Sequence, residues 1–91
     1  MMLPEQKPAH PGEILKEIYL DDMKITQIEL AKRIGCHVQK VNEIINGRRG
    51  MSADFAIELA EVLGTSVEMW LNLQMKYELW SAIQKKIKKA S

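Results

Sequence analysis

Gln39, Asn42, Glu43 and Asn46 carry the side chains of this sequence best suited to reading another molecule. They recur at spacings of three and four around Val41 and Ile44, which are themselves three apart. At roughly 100° per residue, the two aliphatic residues fall on one face of a helix and the polar residues on the other. A Gln or Asn amide offers a donor and an acceptor side by side, which matches the N6/N7 edge of adenine in a major groove. Lys40, Arg48 and Arg49 bracket this face with positive charge. An ordinary solvated helix face has the same composition, so the neighbouring elements must decide between the two.

Those elements are strongly written. Thr26-Gln27-Ile28-Glu29 opens a helix: Thr26 caps it, Glu29 stands at the capping-box position, and Ile25 and Leu30 take the staple positions. Ile28, Leu30, Ala31 and Ile34 supply its apolar face, and Gly35 ends it by taking the left-handed conformation. A second helix follows from about His37 to Asn46, and Gly47 stops it in the same way. Two short helices, a tight turn and a following basic loop make a helix-turn-helix, whose second helix enters the major groove of DNA. Gln27, Arg48, Arg49 and Ser52 are then placed to hold phosphates, helped by backbone donors at helix ends. Gln39 is the principal base reader, with Asn42, Glu43 and Val38 secondary, while Lys40 suits either role. Val38 donates no hydrogen bond, but its methyls fit a thymine methyl group.

Three further helices complete the expectation. The first runs from about Pro11 to Tyr19, with Ile14, Leu15 and Ile18 inward. The fourth begins at Ser52 and carries Phe55, Ile57, Leu59, Ala60 and Leu63 before Gly64. The fifth begins at Thr65 or Ser66 and continues to about Lys88. No alternating apolar run flanked by turn dipeptides exists, so the fold class is all-α, five helices with an extended C-terminal one. That last helix is apolar on two faces: Trp70, Leu73, Tyr77 and Trp80 on one, Leu71, Met75, Leu79 and Ile83 opposite. So small a domain has too little chain to cover both, which points to a homodimer. Its interface is expected at Met69, Trp70, Leu73, Gln74, Tyr77 and Trp80.

Composition bounds the function classes. Ninety-one residues with 46% hydrophobic content make one small core. The net charge of +1 hides a segregation: residues 36–50 carry three basic groups and one acidic. Residues 51–73 carry four acids and no Lys or Arg, and residues 74–91 five basic groups and one acid. Local potential at the phosphates, not net charge, governs DNA binding. The first residues, Met1 to Gln6, lack the basic start and apolar run of a signal peptide, and no apolar stretch has membrane-spanning length. With one cysteine and no leader, the chain reads as cytoplasmic. Cys36, His37 and His10 lack the spacing of a metal site, and no catalytic constellation or cofactor motif is present.

The core Gln27-(x)3-Ala31-(x)3-Gly35-(x)5-Val41-(x)2-Ile44-(x)-Asn46-Gly47 resembles the Cro/phage-repressor, lambda-repressor-like helix-turn-helix domain. Three segments narrow the resemblance to HigA-type antitoxins: His10-Pro11-Gly12-Glu13-Ile14-Leu15, Val41 to Gly50, and Trp70-Leu71-Asn72-Leu73-Gln74. The similarity runs from about Pro8 to Leu79. It implies an arm over 1–10, a DNA-binding domain over 11–79 and a lysine-rich extension over 80–91. It also implies a dimer that binds double-stranded operator DNA, represses its own operon and neutralises a RelE/HigB-like mRNA endonuclease toxin. Cys36-His37-Val38 departs from the family's usual start of the recognition helix, so no relative's operator sequence carries over. The residues alone leave two other readings: a solitary repressor without a toxin, and an interaction module that does not bind DNA.

Overall fold

The structure, a computed structural model, describes residues 7–90. Residues 1–6 of the expected arm, the segment read for a signal peptide, and Ser91 of the tail lie outside the described residues. Five helices and no strand occur among the described residues. They are α1 (residues 11–23), α2 (Gln27–Ile34), α3 (Val38–Ile45), α4 (Ala53–Leu63) and α5 (Val67–Ala90).

Helix α1 starts where expected but is not uniform. Pro11 occupies its first turn, and His10 caps it, Nδ1 accepting from the Gly12 N–H at 2.9 Å. An α-helical turn, Pro11–Ile14, passes into a π-helical stretch, Leu15–Leu20, before a last turn, Asp21–Met23. In that stretch hydrogen bonds span five residues, as from Asp21 N–H to Lys16 O. The wider turn moves the inward positions after Leu15 on to Tyr19 and Leu20. Ile18, expected in the core, is left 51% exposed. Lys24 closes the helix with φ 55°, a left-handed residue without glycine's freedom.

Two other expected core residues also face outward. Ile28 is 58% exposed and Ile57 is 46% exposed. Each lies two positions from an inward leucine, Leu30 and Leu59, and residues two apart do not share a helix face. The core they were expected to join is built from Leu15, Leu30, Val41, Ile44, Phe55, Leu59 and Trp70, all essentially inaccessible. Close approach of backbone holds α1 against α3: a Cβ on Gly12 would stand 1.8 Å from the Ile44 carbonyl oxygen. Only glycine fits there.

Helix α5 begins after Ser66, whose Oγ accepts from the Met69 N–H at 3.0 Å. Thr65, the other expected cap, instead accepts from Trp70 Nε1 at 2.7 Å. The helix crosses residues 79–80 without a break and is about 36 Å long at 1.5 Å per residue. It accounts for the elongated shape, 45 by 23 by 23 Å.

Candidate nucleic-acid interface

The turn between α2 and α3 is fixed by Gly35 at φ 85°, whose N–H and that of Cys36 both donate to Ala31 O, at 2.8 and 3.0 Å. Leu30 and Ala31 of α2 and Val41 and Ile44 of α3 are buried, so the two helices present a fixed outer surface. Thr26 Oγ1 accepts from the Glu29 N–H at 3.0 Å. The reciprocal half of the expected capping box is not made: the Glu29 carboxylate lies 3.9 Å from Arg33 instead. His37 precedes α3 without a side-chain capping bond.

On α3, Val38, Gln39 and Asn42 are exposed and Glu43 is half-buried, all on the side away from the core. Gln27 reaches this face from the start of α2. Its Oε1 accepts from Asn42 Nδ2 at 3.1 Å, which leaves its own Nε2 donors free to meet a phosphate. Asn42 Oδ1 in turn accepts from Asn46 Nδ2 at 3.2 Å. Asn42 therefore has both ends of its amide engaged and positions Gln27. Gln39 makes no such bond among the described residues, so its donor and its acceptor are both free.

The loop after α3 is held by backbone and side chain together. Gly47 takes φ 74°, and the Arg48 and Arg49 N–H groups both donate to Glu43 O, at 2.9 and 3.3 Å. Arg49 Nη2 pairs with Glu43 Oε1 at 3.1 Å, so Glu43, a secondary base reader by sequence, orients an arginine of the loop. Lys40 Nζ sits 5.4 Å over the Phe55 ring. Ser52 Oγ caps α4 by accepting from the Phe55 N–H at 3.2 Å, leaving its hydroxyl proton available to an anion. Gln39, Lys40, Glu43 and Arg49 line one open groove of about 420 Å³. The exposed amide of Gln39, the Lys40 cation and the loop arginine thus share one surface.

Sequence reasoning misplaced one residue that builds this site. Gln74, expected in a dimer interface, is buried in its own protomer. Its Oε1 accepts from the Met51 N–H at 2.8 Å and its Nε2 donates to Glu78 at 3.0 Å, so α5 anchors the end of the basic loop. A signal existed: Gln74 follows Trp70 by four and precedes Tyr77 by three, an inward spacing that demands a partner for a polar group.

Trp70 is a second correction. It is fully buried, 5.3 Å from the Tyr19 ring, and belongs to the protomer core. Met69 is half-buried, 3.9 Å from the Tyr19 hydroxyl that donates to its sulfur. Leu73 packs against the core, and Tyr77 and Trp80 lie side by side, with Tyr77 edge-on to His10 at 4.8 Å. The exposed apolar face of α5 is part of the opposite one, with Met75 59% and Leu79 58% exposed and Leu71 half-buried beside them, whereas Ile83, expected on that face, is buried. Among the described residues no helix is long and apolar enough to cross a membrane. None of their His, Cys, Asp and Glu residues group as a metal site.

Residues 15–70 match the helix-turn-helix family model. The chain is 41% identical over 76 residues to antitoxin HigA-1 of Vibrio cholerae, covering 84% of this chain and 71% of that protein. The chain belongs to the HigA-type helix-turn-helix family. Solved structures of the family superpose closely. Pseudomonas aeruginosa antitoxin HigA with the higBA promoter gives a TM-score of 0.86 at 38% identity, over 92% of this chain and 91% of that one. Antitoxin GraA in complex with its operator gives 0.87 at 37% identity, over 99% and 91%.

Proposed function

We propose that the protein is an antitoxin and autorepressor that binds double-stranded operator DNA as a homodimer and neutralises a RelE/HigB-like toxin. The observation that carries the DNA reading is the surface shared by Gln39, Lys40 and Arg49, with Gln27 held beside it by Asn42. Relatives of the same fold have been solved with a promoter and with an operator. Gln39 reads a base edge; Gln27, Arg48, Arg49 and Ser52 hold phosphates; Val38 packs on a thymine methyl. The dimer forms through the exposed Leu71–Met75–Leu79 face of α5, setting two copies of α3 about 34 Å apart on successive half-sites. Toxin neutralisation follows from family membership and from a related antitoxin's name.

Titration of operator and scrambled duplex at several salt concentrations tests the DNA roles. Arg49→Ala should weaken both duplexes alike and lower the log–log salt slope of the dimer by roughly 2. Gln39→Ala should cost roughly 1–3 kcal/mol per lost base contact on operator alone. Equal loss on both duplexes refutes Gln39 as a reader. Met75→Glu with Leu79→Glu should give a folded monomer by sedimentation. Co-expression with the product of the adjacent gene should restore growth and yield a co-purifying pair; failure of both removes the toxin from the proposal.

A further inference from the structure

A second open groove, of about 300 Å³, lies between the basic loop and the distal half of α5. Arg48 and Arg49 line one side of it, Ser81 and Lys85 the other, with Tyr77 between them. Lys7 Nζ adds a positive charge 5.7 Å from the Tyr77 ring. The one carboxylate in the lining, Glu78, already accepts from Gln74 Nε2. Arg48 and Lys85 make no ion pair among the described residues. Arg49 is paired with Glu43, but Arg48, Lys85 and the nearby Lys7 outnumber the one lining carboxylate and leave the groove a positive potential.

Arg49 lines this groove and also the one that holds Gln39 and Lys40. The two are therefore a single surface folded around the loop. We propose that this groove seats a backbone phosphate flanking the bases read by α3, with Arg48 and Lys85 as its ligands. DNA contact then extends beyond the helix-turn-helix onto the C-terminal helix. Lys89, four residues beyond Lys85, continues the same helix face toward the flank. The inference rests on the DNA-binding reading, and it assigns a function to the lysine-rich end that the macrodipole alone does not require.

The test compares wild type, Lys85→Ala and Lys76→Ala on operator duplexes with long and with trimmed flanks, across a salt series. Lys76 is two residues from Gln74 and so faces away from the groove. Alanine keeps the helix in both variants. Lys85→Ala should lower the salt slope of the dimer by about 2, one contact per subunit, on the long duplex. It should leave binding to the trimmed duplex unchanged, and phosphate-ethylation interference should vanish at one flanking position in each half-site. An unchanged slope, or an equal fall in Lys76→Ala, overturns the proposal. So does stabilisation of wild type but not Lys85→Ala by inorganic phosphate with no effect of flank length, which would make the groove a site for a free anion. Failure of wild type to bind any operator duplex overturns the DNA reading itself, a result distinct from the other three.

Discussion

Replacing Gln74 by Leu keeps the side chain's volume and removes its two hydrogen bonds. The bonds differ in weight. Glu78 is exposed, so the carboxylate that loses Nε2 turns to water at little cost. Met51 is 3% exposed, and its N–H, 2.8 Å from Gln74 Oε1, has no other acceptor among the described residues. Left buried and unpaired, that N–H costs about 1–3 kcal/mol. Urea unfolding at fixed protein concentration should show this loss with an unchanged m-value, equivalent to roughly 4–8 °C of Tm per kcal/mol at this size. Because Met51 ends the loop that carries Arg48 and Arg49, DNA binding should weaken on all duplexes. The salt slope should stay the same, since no charge is removed. The dimer should survive in sedimentation. A stability within about 0.5 kcal/mol of wild type refutes the anchoring role. A folded, stable monomer would return Gln74 to the interface.

Four further outcomes follow from individual positions. Gly12→Ala drives a Cβ into the Ile44 carbonyl and should destabilise by about 3 kcal/mol or more, the upper range of overpacking, in the same urea assay. Gly35→Ala meets no neighbour within 4 Å and should cost only the left-handed strain, about 1–2 kcal/mol. Lys24→Gly, at φ 55°, should raise stability by a few tenths to about 1 kcal/mol in thermal melts, the steric relief exceeding glycine's entropic cost. Burial pushes the His10 imidazole below its ordinary value; Glu13 opposes this and Lys7 adds to it. A lowered imidazole pKa means the unfolded chain binds the proton more readily. The stability it contributes is therefore complete above the unfolded value of about 6.5 and falls as pH drops below it. Melts from pH 7.5 to 5 should show a decline that His10→Asn, a residue that still caps, makes shallower.

The two-sided character of α5 illustrates how far a pattern reaches. Periodicity identified both apolar stripes, yet it gave no means of ranking them, because both recur three or four residues apart, as a buried helix face requires. The choice was made by α1 and its cap: Tyr19 and His10 cover Trp70 and Tyr77, and nothing among the described residues covers Met75 and Leu79 to the same degree. Trp70→Ala is accordingly a core truncation, costing about 3–5 kcal/mol, and not a probe of dimerisation. Ile18 failed for a related reason. A wheel drawn at 100° per residue assumes uniform α geometry, and the π-helical stretch over Leu15–Leu20 rotates the face away from it.

What the sequence determined by itself is local. The Gly35, Gly47 and Gly64 stops, the Thr26 and Ser52 caps and the outward row from Gln39 to Asn46 all depend on residues within a few positions of one another. Chain stereochemistry and short-range hydrogen bonding decide such features wherever the segment sits. The tertiary structure decided everything that depends on sequence separation. Gln74 reaches Met51 across 23 residues, Asn42 holds Gln27 across 15, and Lys85 shares a groove with Arg48. A helix wheel fixes which side a residue faces, but only packing sets what stands opposite it. The same buried polar contact can anchor a loop or bridge two subunits, and the packing of α5 against the loop that ends at Met51 chose the first.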